Sequence, residues 1–232
     1  PFYQVDAFAS RAFEGNQACI MPLEAFLSDD VMLAIAAENN VAETAYIVRT
    51  GEAVWNLRWF TPAVEVPLCG HATLAAAHAL FTHEGFAGDA ISFDTVKSGR
   101  LTVRKLADGR LEMDFPSAPV KEISVTDDVA DALGARPVQV WGGMFYAAMF
   151  QTPEVDVTSR FFAPGSGIDE DPATGSWHTM LARVMSERFG KDALGCYQAY
   201  PGRDAHIDTV LQGDRVKLIG RAVTTIEGRF FL

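Results

Sequence analysis

The stretch GIDEDPATGSWH (residues 167–178) sets three consecutive carboxylates, Asp169, Glu170 and Asp171, ahead of a proline, a Thr-Gly-Ser turn and an apparent helix start. Acids at such a place stabilise a helix in their own right, because its first N–H groups are unpaired and its dipole is positive there. Asp, Ser and Thr also serve as caps. The same arrangement has a chemical use. An uncapped helix start binds an anion, and a glycine there lets the ligand approach the backbone. Asp171, held outside the helix by Pro172, would then point to a substrate amine or hydroxyl. Together these residues suit a small zwitterionic or hydroxylated carboxylate.

Chemistry on such a ligand needs a group that moves protons. Glu43 in NNVAETAYIV lies between a helix end at Asn39-Asn40 and an apolar strand. A carboxyl at a core edge is desolvated, and its proton affinity rises toward the range useful for taking and returning a proton. On this short motif alone, an ordinary solvated glutamate at a strand start is the stronger reading.

The elements that must carry these groups occur twice. LRWFTPAVEVPLCGHATLAAAHAL and SRFFAPGSGIDEDPATGSWHTMLARVM share an order: Arg, aromatic, Phe, small residue, Pro, then an acid and a second proline, then Gly with a polar neighbour, then a helix. Arg58 to Gly70 spans twelve residues and Arg160 to Gly175 fifteen. This order points to an internal duplication. Period-two runs predict strands over PFYQVDAFA, TAYIVRT and VWNLRWFTP, and a meander over AISFDTVKSGRLTVRKLADGRLEMDFP turning at Asp108-Gly109. Further strands are read in CYQAYPG, HIDTVLQ and the last segment, with a turn at Gly213-Asp214. Helices are expected over LSDDVMLAIAAENN, with Ser28 as N-cap, over HATLAAAHALFTHEG and over SWHTMLARVMSERFG. The middle one is apolar on all sides near residues 72–77 and must be surrounded. The expected architecture is α+β: two pseudo-symmetric lobes, residues 1–117 and 118–232, each a mostly antiparallel sheet wrapped around one helix. Two such lobes leave a cleft, and pockets favour such places. The helix starts at Gly70-His71-Ala72 and Gly175-Ser176 would face it.

Bulk properties narrow the partners. The 232 residues are 49% hydrophobic, a globular composition, and the net charge is −11. Nucleic acid and anionic membrane are poor partners for that charge. No apolar run is long enough to span a bilayer, and PFYQVDAFAS lacks the form of a signal peptide. It also lacks an initiator Met, as expected of a trimmed chain. Cys19, Cys69 and Cys196 are odd in number, widely spaced and without zinc-ligand spacing, which favours a reducing, cytosolic setting and no metal.

With QVDAFAS, GNQACI, ENNVAETAYIV, RWFTP…VPLCGHAT, RFFAPGSGIDEDPATGS and GDRVKLIGRAVTTIEG in order along nearly the whole chain, the sequence resembles the PhzF-like phenazine-biosynthesis isomerases, relatives of diaminopimelate epimerase. The resemblance implies the same two-lobed fold, a likeness to dimeric proteins, and cofactor-free proton transfer at a carbon of a small carboxylated substrate. It places the general acid/base on Glu43, substrate-contacting groups on His71, Asp171 and Ser176, and close backbone approach at Gly70; Gly175 and Ala72 flank them. It reverses the weighing at Glu43. Two features depart from the family pattern. The segment VWGGMFYAAMFQTPEVDVTSRFF is shorter by several elements, and Trp177 stands where a small residue is usual, either narrowing the pocket, stacking on a ring or packing against the other lobe.

Other readings remain at this point. A two-thiol racemase lacks a second cysteine in the DEDPATGS loop, so Cys69 reads better as a small buried residue. A non-catalytic binding module on the same scaffold is the alternative to an enzyme. His78, His83, His178 and His206 read as ordinary core or surface histidines. Arg58 and Arg160 read as structural partners of acids such as Glu65 or Asp169.

Overall fold

The computed structural model describes residues 1–117, 121–142, 146–150, 156–163 and 168–231. The chain forms two compact units, residues 1–114 with 219–232, and residues 115–218.

The first unit contains β1 (Phe2–Ala7), β2 (Asn16–Leu23), α1 (Asp29–Asn39), β3 (Glu43–Arg49), β4 (Val54–Phe60), β5 (Glu65–Val66), α2 (Gly70–Thr82), β6 (Ala90–Thr95), β7 (Gly99–Lys105) and β8 (Leu111–Pro116), which runs to the unit boundary. Alternation sets the faces: β4 buries Trp55, Leu57 and Trp59 and turns Asn56 and Arg58 outward. In β8, Leu111, Met113 and Phe115 do the same. The pairing is antiparallel for β1–β2, β3–β4, β6–β7 and β7–β8, and parallel for β2–β3 and β4–β6, which a helix bridges in each case.

Helix α2 is buried from Gly70 through Ala77 and again at Ala79 and Leu80. Its alanines let strands approach on every side, and it packs on β1, β2 and β3. Helix α1 lies outside, with Met32, Ile35 and Ala36 against Tyr46 and Phe60. Asn40, left-handed at φ 50°, ends it as the sequence suggests. Ser28 is its N-cap by position, but its side chain makes no capping hydrogen bond.

The second unit contains β9 (Lys121–Ile123), α3 (Asp127–Leu133), β10 (Gln139–Gly142), β11 (Tyr146–Phe150), β12 (Val157–Ala163), β13 (Ile168–Asp171), α4 (Gly175–Phe189), β14 (Ala193–Gln198), β15 (Ala205–Gln212) and most of β16 (Arg215–Gly220). Helix α4 buries Trp177, Met180, Leu181 and Met185 among Trp141, Val157, Phe161 and Leu194. Unlike α2 it keeps a wet face, with Arg183, Glu187 and Arg188 exposed. The last strand, β17 (Ala222–Gly228), returns to the first unit and pairs antiparallel with β1.

The repeat read from the sequence is a repeat of topology. In the first copy β4 pairs antiparallel with β5 and parallel with β6, α2 makes the crossover, and β6 pairs antiparallel with β7. In the second, β12 pairs antiparallel with β13 and parallel with β14 across α4, and β14 pairs antiparallel with β15. The structure adds elements that the sequence reading left out: β2, the two-residue β5, β9, α3, the β10–β11 hairpin and the short β13. Helix α3 carried a legible signal, since Thr126 caps it by accepting from the Val129 N–H and Gly134 ends it at φ 67°. The shortened region noted in the sequence includes residues 143–145 and 151–155, which lie outside the described residues.

Candidate active site

Strand register builds the first cluster. β2 and β3 run parallel with Ala18 opposite Glu43, and Asn16, two residues before Ala18, shares its face. Helix α2 begins at Gly70 and packs against β2, so its second residue, His71, joins Asn16 and Glu43. All three side chains are buried. His71 Nε2 lies 2.9 Å from Glu43 Oε2. The separation is that of a charge-assisted hydrogen bond between two buried groups. His71 Nδ1 faces Asn16 Nδ2 at 3.3 Å and Cys69 Sγ at 3.5 Å.

Burial opposes a charge on His71, while its contacts with Cys69 and Glu43 favour it, and the imidazole's pKa is held well above its ordinary value. Cys69 is itself pushed up to about 11, chiefly by burial and then by Glu43, so at neutral pH it is a thiol and not a thiolate. The counter-charge to a protonated His71 is therefore the Glu43 carboxylate.

The ligand atoms of Glu43, Cys69 and His71 lie within 4.8 Å of one another, so these three residues could be considered for a metal ion. The ring, however, turns Nδ1 to the thiol and Nε2 to the carboxylate. One ion could engage all three only if the imidazole reoriented and the thiol lost its proton.

The second cluster forms at the start of α4. Asp171, at the end of β13, is buried and accepts from the Thr174 hydroxyl. Gln198 at the end of β14 fastens the turn: its Nε2 donates to Asp171 O at 2.5 Å and to Thr174 Oγ1 at 3.1 Å, and its Oε1 accepts from Thr174 N at 2.9 Å. Sequence reasoning did not find Gln198, because nothing around a lone strand glutamine marks it as a clamp. His178 Nδ1 donates to Thr174 O at 2.8 Å, and burial pushes its pKa down to about 4, so it is neutral. Gly175 is buried and Ser176 half-buried, with the Ser176 carbonyl accepting from the Thr179 hydroxyl at 2.7 Å. Trp177 is 1% exposed and packs within its own unit's core, 6.4 Å centroid to centroid from Phe161, a placement that differs from all three roles read from the sequence.

At neither helix start does the N-cap side chain make a well-formed capping hydrogen bond. Cys69 makes no capping bond at α2, and the Thr174 hydroxyl turns to Asp171 instead of α4. Ala72, in the first turn of α2, is buried and keeps that end free of bulk. Arg58 pairs with Glu65 at 2.8 Å and with Asp29, and Arg160 pairs with Glu170 at 2.6 Å. Both arginines are thus structural, each joining the two antiparallel strands of its repeat; the partner of Arg160 is Glu170 rather than Asp169. Each guanidinium also lies over the aromatic two residues on, Phe60 at 5.1 Å and Phe162 at 4.9 Å.

The sequence matches the model of the family described as phenazine biosynthesis-like protein over residues 5–139 and 137–228. The chain belongs to that family. It is 41% identical to an uncharacterized isomerase of Pseudomonas aeruginosa, with 100% of this chain and 98% of the relative covered. That alignment runs over 260 positions against 232 residues here, so the relative carries residues this family member lacks. Among solved structures, a PhzF-family phenazine biosynthesis protein of Enterococcus faecalis matches with a TM-score of 0.92 at 32% identity, over 100% of this chain and 98% of that one. A hydroxyproline epimerase of Agrobacterium vitis shares the fold at a TM-score of 0.62 and 9% identity, covering 97% and 90%. The family and fold expected from the motifs are therefore the ones found, and the family is isomerase-like. Among the described residues, no helix is long and apolar enough to cross a membrane.

Proposed function

We propose that this family member is a cofactor-independent isomerase that moves a proton between two carbons of a small cyclic or hydroxylated carboxylate. Glu43 is the group that takes and returns the proton. The observation that carries this reading is the buried contact between Glu43 Oε2 and His71 Nε2, two proton-handling atoms 2.9 Å apart. Protonated His71 and the uncapped start of α2 at Gly70 and Ala72 supply positive potential for a substrate carboxylate or developing enolate. The role that the motif assigns to Asp171, Gly175 and Ser176, polar contact with substrate, belongs to the same proposal and is supported by the family resemblance.

The test is proton exchange. Wild type and Glu43→Gln are incubated in D₂O with small cyclic amino- and hydroxy-carboxylates and read by NMR. Deuterium incorporation by wild type, reduced by about 10²-fold or more in Glu43→Gln, supports the enzyme. Ligands that raise the melting temperature without any exchange would replace it with a binding module.

A further inference from the structure

We propose that Asn16 is a positioning residue for His71: its side-chain amide, at Nδ1, holds the ring in either charge state and so keeps Nε2 turned to Glu43. The inference rests on the reading of Glu43 and His71 as the proton-transfer pair.

Two groups reach Nδ1, Asn16 Nδ2 at 3.3 Å and Cys69 Sγ at 3.5 Å. A neutral thiol is a weak donor and a weak acceptor, so the amide is the stronger partner. An amide is also the side chain that serves both charge states of a histidine. Its NH₂ donates to the lone pair of a neutral Nδ1. Its oxygen accepts from Nδ1–H of the imidazolium, and a half-turn about the terminal torsion exchanges the two, which are nearly isosteric. Asn16 can therefore follow His71 through gain and loss of a proton. A carboxylate there would fix the imidazolium, and an apolar residue would leave Nδ1 unpaired.

The backbone invests in placing this amide. Asn16 is the first residue of β2, in register with Ala7, and the turn that leads to it holds Phe8, Phe13 and Gly15 at φ 59°, 73° and 59°. Left-handed backbone at two phenylalanines is strained and persists only where the surroundings over-determine it. The surroundings do so here. Buried Asp6 accepts from Phe13 N at 2.7 Å, and Glu14 accepts from Ser10 N at 3.1 Å. Gly15 is obligatory, since a Cβ on it would lie 2.0 Å from Ala7 O. A strained turn pinned by buried charge thus delivers one buried amide to one ring nitrogen.

The experiment titrates ¹⁵N-histidine-labelled wild type, Asn16→Leu and Asn16→Asp by NMR, with substrate exchange in D₂O measured on the same samples. The expected result has His71 in Asn16→Asp staying protonated to higher pH than in wild type. In Asn16→Leu its tautomer balance or titration shifts, and kcat falls about 10-fold or more at nearly unchanged KM. Asn16→Asp keeps the volume of the native side chain and so tests the idea even if Asn16→Leu folds poorly. Unchanged ¹⁵N shifts and titration of His71 in Asn16→Asp would overturn the proposal. The nitrogen signals report on Asn16 even if no exchange is found in wild type, so failure of the proposed function would not be mistaken for failure here.

Discussion

At the active-site cluster, Cys69 and Glu43 compete for one role. The α2 start would lower the pKa of a thiol, yet burial and the neighbouring Glu43 hold Cys69 up at about 11. Cys19 and Cys196 are buried and pushed to about 12. The proton transfer proposed above therefore rests on the carboxylate rather than on a thiol. Cys69→Ser is expected to keep proton exchange within about threefold of wild type, whereas Glu43→Gln loses it; loss in the first and retention in the second would point to thiol chemistry. Glu43 and His71 were legible because the motifs ETAYIV and CGHAT carry them. Asn16 is marked only as part of GNQACI and Gln198 by nothing, since their placement comes from parallel strand register and from a turn, which no local pattern shows. Asp171 was legible as a charged residue before a helix, but its bond to Thr174 was not.

Single elements were read more fully than their connections. The strands with clean alternation, such as VWNLRWF, and the all-apolar α2 stood out, because a fully buried helix has a composition of its own. The short β5 and β13 did not, because two to four residues give no period; they hold Glu65 and Glu170 beside the arginines of β4 and β12. The turn before β2 was likewise silent apart from its glycine. Gly15→Ala is expected to destabilise by about 3 kcal/mol or more, through both the left-handed φ of 59° and the clash with Ala7 O. Urea unfolding measures this, and a loss under 1 kcal/mol would mean that the turn relaxes freely.

For the whole molecule, buried histidines set the pH dependence of stability. His178 and His78 are held near 4, mainly by burial, against an unfolded value of about 6.5. Between these values the unfolded chain binds protons that the native protein refuses, so stability falls on acidification, by up to about 1.4 kcal/mol per pH unit for each group. His71 has the opposite sign. Its raised pKa gives stability that is full below about 6.5 and is lost as pH rises through the native value. The expected profile has a maximum near the ordinary histidine pKa. Urea midpoints between about pH 4.5 and 9 should show both limbs, His178→Asn should flatten the acid one and His71→Gln the alkaline one. A flat profile would contradict the assigned charge states. The two-unit organisation was visible as a repeat, but the return of β17 to β1 was not, since strand pairing between chain ends leaves no local trace.

That return has a temporal meaning. Residues 115–218 are contiguous, whereas the other unit needs β17 beside β1. On a ribosome the second unit has all its strands in hand while the first still waits, its β1 edge unpaired until the closing segment emerges. The part of the chain made first is therefore the part completed last, and the nascent form most exposed to a chaperone is the one that already carries Glu43 and His71.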